Sequence, residues 1–180
     1  LVLTGMHLAP RFGLTWRAIE NDGFKIDEKV DIDLGDDSAR GVARSLGLGT
    51  IGMAKAFERL KPDIVVVHGD RFEVLAAAQA ALLALLPVAH IRGGELTEGA
   101  LDDAMRHAIT KMAHLHFTAS AAYSTRVIQL GEDPDRVFTV GALGLEAIYE
   151  TPPMNHVELE RSLDFPLGET TFLVTYHPAT

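Results

Sequence analysis

Asp70 stands in the run His68-Gly69-Asp70-Arg71, directly after the aliphatic residues 64–67. A second polar run follows the apolar residues 88–91. It holds Arg92, the pair Gly93-Gly94, then Glu95, Thr97, Glu98, Asp102 and Asp103, and beyond it Arg106, His107 and Lys111 make a basic helix face. A third, Tyr176-His177-Pro178, follows the β-prone residues 171–175. Acids beside cations, within one strand–turn–helix unit, are the composition of a polar ligand site. In open parallel α/β sheets, ligands bind just beyond the carboxyl ends of strands, where all three runs fall.

Each residue also has a blander reading. His68 can hydrogen-bond backbone at a strand end, and Asp70 can cap the next helix, where a short carboxylate accepts from free N–H groups. Arg106 and Lys111 can be a solvated face, loosely paired with nearby acids for little energy. His114 and His116 share a face only in a strand, and without a third clustered ligand a structural role fits them better than a metal.

These residues need elements to position them, and the chain alternates strand and helix. Residues 1–4 predict a strand before Gly5, and a strand with no lead-in points to upstream sequence. Phe12, Trp16 and Ile19 mark a helix that stops near Asn21-Asp22-Gly23, and residues 25–33 alternate like a half-exposed strand. Ser38 caps a longer helix through Val42, Leu46, Phe57 and Leu60. Glycines at 41, 47, 49 and 52 weaken it, each by ~1 kcal/mol against alanine unless close packing compensates, so the part after Ile51 is the firmer.

Residues 64–67 predict a strand of the kind that parallel sheets cover on both faces, and residues 72–86 an apolar helix. A strand at 88–91 leads through the glycine turn to a helix beginning near Asp102. Ala104, Met105, Ala108, Ile109 and Met112 form its apolar face, and Asp102 or Asp103 its N-cap. A strand at 117–119, a Ser120-capped helix at 121–130, a strand at 137–140 and a short helix at 143–149 follow. Thr151-Pro152-Pro153 reads as a hinge, then a weak helix at 156–163 and a fresh strand at 171–175. The class is α/β: a doubly wound, mostly parallel sheet to about Gly141, with the first strand of a second domain after the hinge.

Composition narrows the function classes. The 180 residues are 47% hydrophobic and 23% charged, enough apolar material for a core. The net charge of −9 disfavours a nucleic-acid surface, which needs a basic field. With no cysteine, disulfides, thiol catalysis and thiolate metal sites are excluded. Residues 74–91 are interrupted by Gln79, Pro87 and His90 and read as helix plus strand, not a membrane span. The start does not read as a signal peptide, so a cytoplasmic setting is the default. Neither the P-loop glycine fingerprint nor the G-x-S-x-G elbow occurs.

The segments VVVHGDRFE, AHIRGGELTEGALDDAMRHAITKMAHLHF and LVTYHPAT, in this order, and LTGMHLAPRFGLTWRAIENDGF before them, resemble the UDP-N-acetylglucosamine 2-epimerase family. The closest resemblance is to its hydrolysing branch, which feeds sialic-acid-type sugar synthesis; RHAITK stands where non-hydrolysing relatives carry a Pro-Glu-Glu segment. The resemblance implies a GT-B fold, with a UDP-sugar between two Rossmann-like domains. Residues 1–150 would be the first domain, lacking its first βα unit and phosphate loop, 151–170 the hinge, and 171–180 the start of the UDP-binding domain. It implies elimination of UDP from UDP-GlcNAc, or from a diacetamido UDP-sugar, then hydration to the free 2-epimer such as N-acetylmannosamine. No cofactor and no metal is implied, and the full-length parent would be a homo-oligomer. The fragment alone would be inactive.

By motif position the resemblance assigns catalysis to Asp70, Asp102 and His177, and substrate contacts to His68, Arg71, Arg106, His107 and Lys111. Carboxylates in a closed cleft serve as acid or base, and cations stabilise a leaving pyrophosphate. One position departs from the family. Arg92 stands where some relatives carry a catalytic acid, and arginine has no acid–base capacity at neutral pH. Either Glu95, the nearest carboxylate, takes that role, with Arg92 placed against the diphosphate, or the substrate and mechanism are shifted. Alternatives are a non-hydrolysing epimerase or a non-catalytic UDP-sugar-binding protein on the same fold.

Overall fold

The computed structural model describes residues 1–176, so His177 lies outside the described residues. Contacts divide the chain into two compact units, Leu1–Val140 and Gly141–Thr180.

In the first unit, β1 (Val2–Thr4) pairs in parallel with β2 (Glu28–Val30), and β3 (Val65–His68), β4 (Val88–Ile91), β5 (Leu115–Thr118) and β6 (Val137–Thr139) form a second parallel sheet in that order. Helices α1 (Trp16–Asn21), α2 (Ala39–Leu60), α3 (Phe72–Leu83), α4 (Leu101–Met112) and α5 (Ala121–Gln129) alternate with the strands. Within each sheet the strands are all parallel, and in the larger one they follow chain order from β3 to β6. The 3-10 turns Gly5–Leu8 and Pro10–Phe12 stand ahead of α1, where the sequence suggests helix from Phe12 onward.

Packing resolves the weak point of α2. The helix is continuous and capped by Ser38, whose side chain accepts from the Gly41 N–H. A Cβ on Gly49 would meet Ala76 of α3 at 3.0 Å, and one on Gly52 would clash with the Val30 side chain of β2. Glycine at those positions lets the helix close on its neighbours, and the core forms there from Val30, Met53, Phe57, Val65, Val67 and the alanines of α3.

Coverage on both faces does not hold for β3. Val65 and Val67 are buried, but Val66 is 61% exposed, so this strand alternates. The central strand β4 is buried through Val88, Ala89 and His90.

In the second unit, α6 (Gly144–Glu150) and α7 (His156–Leu163) form, and Asn155 and Glu158 close a reciprocal capping box on α7. The strand expected at 171–175 does not form: residues 171–176 are irregular, and Phe172, Leu173 and Val174 are exposed. A strand needs a neighbour for its N–H and C=O groups, and among the described residues none pairs with this segment.

Candidate active site

Asp70 follows the carboxyl end of β3, after Gly69, whose φ of +87° suits glycine. It is no helix cap, because the N-cap of α3 is Arg71, without a side-chain capping bond. Its Oδ2 instead accepts from Arg106 Nη2 of α4. The same nitrogen lies 3.0 Å from Thr97 Oγ1 in the loop after β4. Arg106 is therefore not on a solvated face. It is 5% exposed and shares the buried side of α4 with Ile109 and Thr110, while Ala104 and Ala108, expected inside, are exposed. Its Nε and Nη1 are buried without partners among the described residues.

Arg92 and Glu95 make a second acid–arginine pair at the end of β4. Nε of Arg92 donates to Oε1 at 2.9 Å and Nη2 to Oε2 at 2.7 Å, a two-pronged contact. Arg92 holds φ at +68°, a left-handed conformation that costs an L-residue about 1–2 kcal/mol. Its hydrogen bonds pull the Glu95 carboxyl below the ordinary range; burial opposes, and the charges of Arg92, Arg106 and His68 assist. Arg92 is correspondingly raised, chiefly by the same bonds. The role expected of Arg92, at a diphosphate, thus meets a guanidinium already occupied by Glu95.

His68, exposed at the last residue of β3, has its pKa lowered first by desolvation and then by Arg92, against Glu95 and Asp70. These fields show that His68, Asp70, Arg92, Glu95 and Arg106 share one locality at the ends of β3 and β4. Arg71 reaches Glu73 at 3.2 Å and lines, with His68, a cavity of about 580 Å³ between the ends of β1 and β3.

The remaining candidates sit on α4. Neither Asp102 nor Asp103 is its N-cap; that residue is Ala100, and Asp103 Oδ1 accepts from the Thr97 N–H at 3.0 Å, tying the preceding loop down. Asp102 is half-buried in the first turn. His107 Nε2 lies 3.6 Å from Asp103. Lys111 is not brought to Asp70: in the last turn it pairs with Glu132, which also lies 3.2 Å from buried His116 Nε2. His114 Nδ1 accepts from the Val88 N–H, a structural role.

Sequence reasoning passes over Thr110 and Glu73, and meets Thr97 only as a loop residue and His90 only as an interruption of an apolar run. Glu73 is 8% exposed on α3, and His90 is fully buried in β4. A histidine inside an otherwise aliphatic strand is the one local signal that could have marked its position.

The chain can now be set beside known proteins. The description of the UDP-N-acetylglucosamine 2-epimerase family matches residues 1–180. A GDP/UDP-N,N'-diacetylbacillosamine 2-epimerase (hydrolyzing) of Campylobacter jejuni subsp. jejuni serotype O:2 is 44% identical over the whole chain, which covers 47% of that protein. The polysialic acid biosynthesis protein P7 of Escherichia coli is 39% identical over the whole chain, covering 46% of it. The chain spans about half the length of the curated relatives it matches. Among solved structures, a UDP-N-acetylglucosamine 2-epimerase from Rickettsia bellii superposes with TM-score 0.70 at 20% identity, over 92% of this chain and 43% of that one. At that identity the likeness shows the fold, a Rossmann-like half of the GT-B type. The full-length family match and the 44% relative together decide it: this chain belongs to the UDP-N-acetylglucosamine 2-epimerase family.

Proposed function

We propose that the complete protein carrying this chain is a hydrolysing UDP-sugar 2-epimerase. The observation that carries the reading is the convergence of Asp70 and Glu95, each held by its own arginine, at adjacent strand ends. The names of the most similar relatives, among them hydrolysing diacetylbacillosamine epimerases, favour a diacetamido UDP-sugar, with UDP-GlcNAc the second substrate.

The chemistry has two stages. A base takes the C2 proton, the C–H pair becomes the C1=C2 double bond, and the C1–O bond breaks with its electrons leaving on UDP. Water oxygen then bonds to C1 and gives up a proton to a carboxylate, while the double-bond pair takes a proton at C2 from the opposite face. Asp70 is the base of this scheme, oriented by Arg106. Asp102, at the start of α4, delivers the returning proton or directs the water. Glu95 is held as an anion by Arg92, which suits it to orienting water and opposing positive charge better than to donating a proton. His68, Arg71 and His107 border the substrate, and His177 contacts the UDP. The complete protein is a cytoplasmic homo-oligomer in this reading.

A non-catalytic UDP-sugar binder is the second reading, favoured by the engagement of Glu95 by Arg92. Incubating the full-length protein with each UDP-sugar and following UDP and free sugar by NMR decides between them. UDP release with a 2-epimeric sugar is expected, and binding without release would support the second reading.

A further inference from the structure

His90 sits in the middle of β4, its Cα in register with Val67 on one side and His116 on the other. Both ring nitrogens have partners. Nε2 lies 2.8 Å from the Gly69 carbonyl oxygen, and Nδ1 lies 3.2 Å from the Thr110 hydroxyl. A carbonyl oxygen only accepts, so Nε2 carries the proton. A second proton on Nδ1 would bury an imidazolium. Burial above all pushes the ring's pKa down to about 4, with His116 and Arg106 acting the same way against the Gly69 carbonyl and Asp70. Nδ1 is therefore a lone-pair acceptor, and Thr110 gives it its one hydroxyl proton. That oxygen also lies 3.0 Å from the Arg106 carbonyl, which the helix already satisfies through the Thr110 N–H.

The Gly69 carbonyl belongs to the peptide group joining Gly69 to Asp70. Fixing that plane fixes where the Asp70 side chain leaves the backbone. Thr110, the other partner, is one helical turn from Arg106, which grips the Asp70 carboxylate directly. One ring therefore ties the backbone of Asp70 to the helix that holds its carboxylate. The loop after β4 closes over the contact: a Cβ on Gly93 would lie 3.2 Å from both His90 Nδ1 and Thr110 Oγ1.

We propose that His90, as the neutral Nε2–H tautomer, is a positioning residue that sets the Asp70 carboxylate through the Gly69–Asp70 peptide. The catalytic consequence rests on the reading of Asp70 as the base; the positioning itself does not.

The test uses the full-length protein and three variants. In His90→Gln the longer amide carries an N–H donor to the place of Nε2. His90→Asn reaches only toward Thr110, and His90→Leu keeps bulk without polarity. Turnover in His90→Leu and His90→Asn is expected to fall through kcat on the order of 10²-fold, the size of a misplacement near 1 Å, with KM little changed. His90→Gln should recover most of it, with the pH–rate inflections of the wild type in place. Full activity in the leucine variant would reduce His90 to core filling. A glutamine variant as poor as leucine, with an inflection gone, would make the ring an acid or base instead; either result overturns the proposal. Amide hydrogen exchange at Gly69, whose N–H donates to the Ile91 carbonyl at 3.1 Å, is the readout independent of turnover. It should speed up in the asparagine and leucine variants but not in glutamine, and unchanged exchange in asparagine would overturn the proposal even if leucine fails to fold. A wild type that releases no UDP would count against the proposed function alone.

Discussion

The two acid–arginine pairs stand on neighbouring strands and differ in almost every physical respect. Asp70 and Arg106 are 36 residues apart, and the arginine side chain is 6% exposed. Arg92 and Glu95 are three residues apart, and there the arginine is 47% exposed. The first pair joins a strand end to a helix, so its geometry is set by the packing of α4 on the sheet. The second is set by one turn of loop. A desolvated ion pair is costly to break from one side, because the remaining charge has no water to return to. An exposed pair loses little, because water replaces its partner. The contrast lies in the cations, since the Glu95 side chain, 12% exposed, is no more open than that of Asp70, at 19%: water can reach and replace Arg92, but not Arg106.

The largest expected effect tests whether the chemistry follows the carboxylate of the buried pair. Asp70→Asn in the full-length protein should lower UDP release by about 10²–10⁴-fold, the usual worth of a general base. Glu95→Gln should cost clearly less, because Glu95 is held ionised and already bonded to Arg92. Steady-state UDP release of both variants, side by side, makes the comparison. A Glu95→Gln enzyme as impaired as Asp70→Asn would invert it and place the acid–base work on the exposed pair.

Next comes stability. Asp70→Asn leaves the Arg106 cation buried without its counter-charge, at an expected cost of about 3–5 kcal/mol. A simple isosteric swap with the fold untouched is therefore not expected here. Adding Arg106→Met removes the stranded charge, and Asp70→Asn/Arg106→Met should regain much of the loss, since apolar replacement of a whole buried pair is often neutral. Urea unfolding of the two variants against wild type measures this. Equal midpoints for the single and double variants would mean that Arg106 does not depend on Asp70.

Arg106 also shows where the sequence stops being legible. Helical periodicity assigns a charged residue to the outer face, and nothing local contradicts that for Arg106. Its partners, Asp70 and Thr97, are visible only once α4 lies across the end of β3. Gly49 and Gly52 are the same lesson reversed: read locally they weaken a helix, but packed they admit Ala76 and Val30. Strands β3 and β4 and their glycine turns were readable because an aliphatic run ending in glycine is a local signal. The β-prone residues 171–175 carry the propensity without the glycine turn, and a strand is a property of two segments; among the described residues this one is unpaired. For the site, residue types and strand ends were legible, and pairing was not. The sequence offers Asp102 or Asp103 as a cap, but Asp103 ties down Thr97 instead.

The smallest effect belongs to the exposed pair, and its pH dependence has a definite sign. Arg92 holds the Glu95 carboxyl below its ordinary pKa in the folded chain. Between the depressed value and the unfolded one, about 4.3, the unfolded chain binds more protons than the folded chain, so stability rises with pH there. The pair's contribution is complete above the unfolded value and is lost as pH falls through the depressed one. Arg92→Gln removes the main cause of the depression and should cost only about 0.2–1 kcal/mol at neutral pH. The left-handed backbone at residue 92 is kept by both arginine and glutamine, so its strain cancels in the difference. His90 and His116, whose pKa values are lowered by groups other than Arg92, destabilise wild type and variant alike on acidification and cancel; His68, lowered in part by Arg92, is depressed less in the variant, which narrows the gap further in acid. Urea midpoints of both proteins, from neutral pH down to the acid limit of folding, should therefore differ slightly at first and then converge. A gap as wide as that of Asp70→Asn, or one that persists unchanged into acid, would mean that the Arg92–Glu95 pair is as deeply committed to the fold as Asp70 and Arg106.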